Sequence, residues 1–275
     1  MQYLIGSIIA LFIALTGVGA GTITVPVLVL FLGVPAAEAV AIGLIFSSVV
    51  KLILVPAQIV RGNVSWRVLG RMALGGVPGV LLGSLFLRHL VNAGSQNVLN
   101  GILGAILVST AGWQIVFSFR PVKAQSDRAD RSYLMPWLMF PVGAEVGFSS
   151  AGAGALGSAA LLSLTNLSPA QVVGTDLAFG LLVSLIGSGA HMFGSAAHSA
   201  LLLELIGGGV VGAIAGTMLS SRIPKRPLRL ALWFWLMILG GQFLFNSYEL
   251  RHAQSNPHPA RHSYVAQRNT TSSGS

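Results

Sequence analysis

The chain has 275 residues, of which 53% are hydrophobic and only 8% are charged, with a net charge of +9 at neutral pH. Soluble domains carry about 25% charged residues, so this composition excludes a soluble globular protein and indicates an integral membrane protein. The apolar runs are too long and too continuous for barrel strands, which alternate every second residue. Helices are the other backbone structure that satisfies its own hydrogen bonds in lipid.

Eight hydrophobic segments are predicted in chain order. Their approximate bounds are Tyr3–Leu32, Ala36–Val60, Val68–Leu87, Gln96–Phe119, Tyr133–Leu164, Pro169–Phe193, Ala200–Leu219 and Leu228–Ser247. Residues 249–275 are polar and are predicted to form a disordered tail. The chain has no cysteine, and the histidines of the tail lack the spacing of a metal site, so no metal and no cofactor is predicted.

The first segment contains the sequence GVGAGTITVP at Gly17–Pro26. Glycine costs about 1 kcal/mol and proline about 3 kcal/mol in a helix interior. The flanking stretches span about 20 Å and 15 Å, too short for the ~30 Å hydrocarbon core. The fifth segment has a similar interruption, SSAGAGALGS, at Ser149–Ser158. Each of the two segments is predicted to break near the membrane centre and fold back as a hairpin, with two long single helices as the alternative.

The two halves of the chain resemble each other at one constant difference in residue number, the repeat offset, which aligns Gly19 with Gly152. At this offset Gly21 matches Gly154, and GGVPGVLLGS (Gly75–Ser84) matches GGVVGAIAGT (Gly208–Thr217). This similarity predicts a duplication, with one repeat at residues 1–119, a cytoplasmic linker at 120–132 and a second repeat at 133–248. The glycines of the longer matched runs are expected to allow close helix packing.

The basic residues change sides between the repeats, which predicts that one repeat is inverted in the membrane. Arg61, Arg67 and Arg71 surround the loop after the second segment, whereas the loop after the sixth has no Lys or Arg. A first segment that enters and leaves on one face reconciles the inversion with four segments per repeat. The predicted fold is an all-α polytopic membrane protein of two inverted-topology repeats, located in the cell membrane with both termini outside.

The broken segments are predicted to bind an anion. The second half of a broken helix begins with unpaired backbone N–H groups and a positive dipole end, and glycine lets an anion approach them closely. The predicted binding residues are Thr16, Gly17, Gly19, Gly21, Thr22, Lys51, Ser149, Ser150, Gly152 and Gly154. Thr24 and Ser158 are expected to add further hydroxyl groups. Walker A lysine, paired catalytic carboxylates and HExxH are absent from the sequence, so an enzyme is not expected.

Ionisable residues inside the predicted spans are few, and such groups are costly in the membrane and usually functional. Lys51 is expected either to complement an anionic substrate or to form a structural ion pair. The candidates for carrying a coupling proton are Glu145, Asp176 and His191. For Asp176, a cap or a hydrogen bond that holds the fold is the alternative.

The sequence GVGAGTITVP resembles the GxGGGxxxVP signature of the sulfite exporter TauE/SafE family, with Ala20 in place of the middle glycine. GFSSAGAGALG (Gly147–Gly157) followed by VVGTDLAF (Val172–Phe179) resembles the second half of that family, and the resemblance covers Tyr3 to Phe245. It implies a duplicated carrier in the bacterial inner membrane that moves sulfur-containing anions.

The predicted function is a secondary transporter of sulfite, thiosulfate or an organosulfonate, working by alternating access with proton coupling as a further expectation. An anion channel of the same architecture is the alternative, and a membrane enzyme or an assembly subunit is a third class. The expected partners are the small anion and the lipid bilayer, without nucleic acid, since the basic residues form no single patch. A homo-oligomer is compatible with the sequence.

Overall fold

The computed structural model describes residues 2–16, 19–94, 96–118, 131–151, 153–191, 199–219 and 225–255. These residues form ten α-helices and a short 3-10 turn, with no strand in the described ranges. The helices are α1 (Gln2–Thr16), α2 (Ala20–Leu32), α3 (Ala36–Val60), α4 (Trp66–Asn92), α5 (Gln96–Ser118), α6 (Met135–Ser149), α7 (Ala153–Leu164), α8 (Pro169–His191), α9 (Ser199–Leu219) and α10 (Lys225–Ser255). Five of them, α3, α4, α5, α8 and α9, are long and apolar enough to cross a membrane. The predicted all-helical membrane fold is confirmed.

The first and fifth hydrophobic segments are each divided into two helices, as predicted. The breaks separate α1 from α2 and α6 from α7. At the other end of the chain, α10 continues to Ser255, so residues 249–255 are helical although the sequence assigned them to the disordered tail. Pro257 is the first strong helix breaker after Tyr248. Residues 256–275, and residues 120–130 of the linker, lie outside the described residues.

The second broken segment folds back on itself. The backbone N–H of Arg131, just before α6, donates to the carbonyl oxygen of Leu164, the last residue of α7, at 2.9 Å. The chain therefore enters and leaves this segment at the same side. In the first half, α1 and α2 line a common apolar groove together with α10.

Helices α3 and α8 form an antiparallel pair in the interior. Three glycines of α8, Gly187, Gly180 and Gly174, lie in turn against Leu44, Lys51 and Asn63. The repeat offset aligns the first residue of α3 with the first residue of α8, so each helix of this pair is the repeat counterpart of the other. At Gly187 and Gly180 the side chains of Leu44 and Lys51 occupy the space that a side chain on α8 would fill, and Gly174 packs on the backbone of Asn63, just after the end of α3.

The glycine-rich runs of α4 and α9 form the closest helix contacts, and the contacts of one run recur in the other at the repeat offset. A Cβ atom on Gly75 would lie 1.8 Å from the Pro136 carbonyl oxygen, and one on Gly208 would lie 1.9 Å from that of Tyr3. The next glycines repeat the contacts, with Gly79 against Phe140, Gly83 against Ala144, Gly212 against Ser7 and Gly216 against Leu11 and Ala14. Hence α4 packs on α6 and α9 packs on α1. The packing role predicted for these glycines is confirmed.

Candidate functional site where the two broken helices meet

The first break ends at a buried glycine. Gly19 caps α2 with φ −57° and ψ 136° and contributes no side chain to the cap. Its carbonyl oxygen accepts hydrogen bonds from the Thr22 backbone N–H, at 3.2 Å, and from the Thr22 hydroxyl. The first turn of α2 therefore starts inside the protein, with the positive end of its helix dipole at this point.

The second break contains a strained residue. Ser150 adopts φ 59° and ψ 0°, and it is the one non-glycine residue with a positive φ in the described ranges. Its N–H donates to the Val146 carbonyl oxygen at 2.8 Å, which closes the end of α6. The left-handed conformation costs an L-residue about 1–2 kcal/mol. Such strain is concentrated at functional sites, where the surrounding structure maintains it.

The two breaks touch each other. A Cβ atom on Gly21, in the first turn of α2, would lie 1.9 Å from the carbonyl oxygen of Ser150 and 2.1 Å from its Oγ atom. Gly43 of α3 faces the same hydroxyl, since a Cβ atom there would lie 3.1 Å from Oγ. Ser150 is 4% exposed, and its Oγ has no hydrogen-bond partner among the described residues. A buried hydroxyl group therefore stands between two glycines at the junction of the two breaks.

Three other hydroxyl groups predicted to face an anion are engaged locally in this conformation. Thr16 donates to the Phe12 carbonyl at 2.6 Å, and Ser149 donates to that of Glu145 at 2.9 Å. The hydroxyl of Thr22 is bonded to Gly19, as above. Serine and threonine in helices commonly donate to carbonyls three or four residues earlier. To donate to an anion, each of these hydroxyls would have to leave its carbonyl.

Lys51 lies away from the junction. It is on α3, eight residues or about 12 Å of helix rise beyond Gly43, and it is 3% exposed. Its Nζ atom packs on Gly180 of α8, where a Cβ atom would lie 2.7 Å from it. Asp176, one helical turn before Gly180, interacts with it electrostatically. The structure therefore brings Lys51 to Asp176 and not into contact with Ser150.

Glu145 and His191 have neutral partners. The Thr110 hydroxyl of α5 donates to Oε1 of Glu145 at 2.6 Å, and Glu145 lines an open groove of about 660 Å³ between α4, α5 and α6. Nε2 of His191 lies 3.2 Å from the carbonyl oxygen of Gly147, near the end of α6. Of the three candidates for proton coupling, Asp176 is the one that interacts with Lys51.

The remaining predicted glycines of the site fall partly within the described residues. Gly17 and Gly152 lie outside the described residues, whereas Gly154 lies in the first turn of α7. No role was predicted for Gly43 or Thr110. The repeat offset gave a signal for Gly43, since it aligns this residue with Asp176. Thr110 had no signal, because its partner Glu145 lies on another helix.

Comparison with known proteins supplies the family. The model of the sulfite exporter TauE/SafE family matches residues 3–243. A relative from Bacillus subtilis (strain 168), the probable membrane transporter protein YjnA, is 30% identical over 249 residues, which cover 86% of this chain and 96% of the relative. No solved structure matches the chain significantly. Together with the apolar helices, these matches identify a multi-pass membrane transporter. The chain belongs to the sulfite exporter TauE/SafE family.

Proposed function

We propose that this protein is a secondary transporter of a small sulfur-containing anion, namely sulfite, thiosulfate or an organosulfonate, and that the anion binds at the junction of the two breaks. The observation that carries the proposal is the Ser150 hydroxyl, which is buried and has no hydrogen-bond partner among the described residues. Buried polar groups are nearly always paired, and an unpaired one costs about 1–3 kcal/mol. A bound oxyanion would accept the hydrogen bond that this hydroxyl lacks.

The first turn of α2 supports an anion rather than a cation or a neutral ligand. A helix amino terminus carries about half a positive charge and presents backbone N–H groups to a ligand. Gly19 and Gly21 carry no side chains that would cover these groups, and Ser150 packs directly on Gly21 and Gly43. The junction is closed in this conformation, so an anion would enter when the two breaks separate, and the smallest separation suffices for a compact anion such as sulfite. The family name supports sulfur as the central atom of the anion.

The helix arrangement supports transport by alternating access between inverted repeats. The counterpart helices α3 and α8 run antiparallel, and the contact of α4 with α6 recurs as the contact of α9 with α1. Both features are expected when a twofold axis in the membrane plane relates the halves. Exchange of conformations between the two halves would then expose the junction to one side of the membrane after the other.

Sulfite counterflow in liposomes containing the purified full chain tests this proposal. In S150A, we expect the flux at subsaturating sulfite to fall roughly tenfold, because a hydrogen bond to a charged group contributes about 1.5–3 kcal/mol. S163A is the matched control, since the exposed Ser163 of the same region donates to the Ala160 carbonyl. Unchanged counterflow in S150A would remove the site. Flux without saturation or stimulation by sulfite on the other side would indicate a channel.

A further inference from the structure

Asp176 connects the interior helix pair to the second broken segment. Its Oδ2 atom accepts a hydrogen bond from the Ser158 hydroxyl of α7 at 2.5 Å. Its Oδ1 atom faces Gly157, where a Cβ atom would lie 2.1 Å away. Asp176 is 3% exposed, and its negative charge interacts with Lys51 across the contact of α3 with α8. One carboxylate therefore joins α3, α7 and α8.

The repeat offset also relates Asp176 to the anion site. It aligns Gly43 with Asp176, so the carboxylate stands in the second repeat where Gly43 stands in the first. Gly43 faces the second break through Ser150. If the repeats are related as proposed above, Asp176 has the corresponding position relative to the first break. The first repeat has a residue without a side chain there, whereas the second has a carboxylate.

The other charged groups on the helices around α8 face elsewhere. Glu38 lies at the opposite end of α3 from the contact with Asp176. Arg67, Arg88 and His89 of α4 are exposed, and Arg71 of α4 donates to Ser132. Glu145 of α6 is bonded to Thr110. Lys51 and Ser158 are therefore among the charged and polar side chains of the described residues that interact with Asp176.

The charges of Lys51 and Asp176 determine whether an anion can enter without leaving a net negative charge in the interior. With both groups ionised, Lys51 and Asp176 are neutral as a pair. An anion added to this pair would leave one uncompensated negative charge in the protein interior, which is costly. A proton on Asp176 removes that charge and also releases the Lys51 charge from its counter-ion, so that the positive charge favours the anion.

We propose that Asp176 is the proton-binding residue of the transport cycle, and that it must be protonated for the anion to occupy the junction. Lys51 is the counter-ion of Asp176 in the empty protein and the compensating charge of the anion in the loaded protein. One proton therefore moves in the same direction as each monovalent anion. This inference rests on the proposed function, because it concerns the coupling of the same anion site.

Two measurements on the same liposomes test the inference. Sulfite counterflow at equal pH on both sides reports anion exchange, and sulfite accumulation driven by a pH gradient reports coupling. In D176N the amide oxygen still accepts the Ser158 hydrogen bond but binds no proton. We expect D176N to lose gradient-driven accumulation at least about tenfold while counterflow falls by less than about threefold, as expected when a proton relay is removed but the anion site remains.

S158A is the matched control, because it removes the hydrogen bond to Asp176 and leaves the carboxyl group. In S158A, sulfite accumulation should still follow the pH gradient. If Asp176 had only a structural role, D176N would keep gradient-driven accumulation and S158A would lose it. A second reading uses the unmodified protein, so it does not depend on a variant that folds. Because hydrogensulfite brings a proton of its own, the acidification of the lumen is measured per sulfite taken up. The unmodified protein should deliver more protons per sulfite than hydrogensulfite alone carries, and protein-free liposomes control for passive movement of protonated sulfite.

Failure of the proposed function and failure of the coupling inference give different results. Absence of counterflow in the unmodified protein would overturn the proposed function, and the coupling inference would fall with it. Counterflow in the unmodified protein together with gradient-driven accumulation in D176N would overturn the coupling inference alone. The same conclusion would follow if sulfite entry produced no extra acidification.

Discussion

The ring of Phe179 lies directly on Gly76, where a Cβ atom would be 2.4 Å from the ring carbon Cε2. The same contact recurs at the repeat offset with the helices exchanged. Phe46 of α3 lies on Gly209 of α9, with the corresponding distance 2.5 Å. Both phenylalanines are fully buried. The interior pair α3 and α8 is thus attached to α9 and α4 by two matching contacts of a ring with a glycine.

These two contacts give a test of alternating access. If the halves are inverted repeats, the two contacts exchange their surroundings when the protein changes state. G76A and G209A should therefore shift the balance between states in opposite directions. Because the natural chain has no cysteine, S47C provides a single reporter in α3, at a position that is 2% exposed. Its labelling rate from one side of the membrane should rise in one variant and fall in the other.

Equal shifts in both variants, or no shift in either, would contradict the inverted arrangement. Each variant should also be less stable, because overpacking of a core typically costs about 1–3 kcal/mol. The thermal midpoint in detergent therefore shows whether the added methyl group meets the ring.

Ser150 offers a separation of stability from transport. S150G removes the hydroxyl group but suits the left-handed backbone, which glycine adopts without strain. We expect the variant to be about 1 kcal/mol more stable than the natural protein, while sulfite counterflow falls as in S150A. Thermal midpoints and sulfite flux, measured on the same preparation, separate the effect of the hydroxyl on stability from its effect on transport. Reduced stability together with normal flux would mean that the hydroxyl holds the fold and does not bind the anion.

The glycines of α9 and α5 provide a matched pair for the packing argument. A Cβ atom on Gly212 would lie 2.0 Å from the carbonyl oxygen of Ser7, whereas nothing lies within 4 Å of one on Gly112. G212A should lower the free energy of unfolding by about 1–3 kcal/mol because α1 must move away. G112A should be neutral or stabilising by up to about 1 kcal/mol, since alanine favours a helix. Equal effects in thermal unfolding would show that α1 and α9 are not in this close contact.

The contact of Glu145 with Thr110 is expected to stabilise the fold without coupling protons. T110V removes the hydroxyl that donates to the carboxyl group and should destabilise the protein by about 1–3 kcal/mol. E145Q keeps an acceptor for this hydrogen bond, so accumulation of sulfite should still respond to the pH gradient. If E145Q abolished that response while D176N retained it, the coupling role would belong to Glu145 and not to Asp176.

Much of the fold could be predicted from the sequence, because its signals are local. Glycine and proline within an apolar run gave both breaks, and the repeat offset related the glycines of α4 to those of α9. Helix α10 extends further than expected, since the polar residues after Tyr248 contain no helix breaker before Pro257. The polarity of that segment was a weaker guide to structure than its helix propensity.

The candidate site was predictable only in part. The sequence indicated the buried Ser150 and the glycines of α2, because broken helices have unpaired termini. It did not reveal that Ser149 and Thr22 donate to nearby carbonyls, or that Lys51 packs on α8. These contacts depend on the local backbone and on which helices become neighbours. The hydrogen bond between Ser158 and Asp176 likewise joins two helices, and no local sequence pattern indicates it.

The most direct test of the account is an experimental structure of the protein determined in the presence of sulfite. We expect density for the anion at the junction of the breaks, within hydrogen-bond distance of the Ser150 hydroxyl and at the amino end of α2. Density for the anion elsewhere, for example in the groove beside Glu145, with the junction closed as it is here, would contradict it.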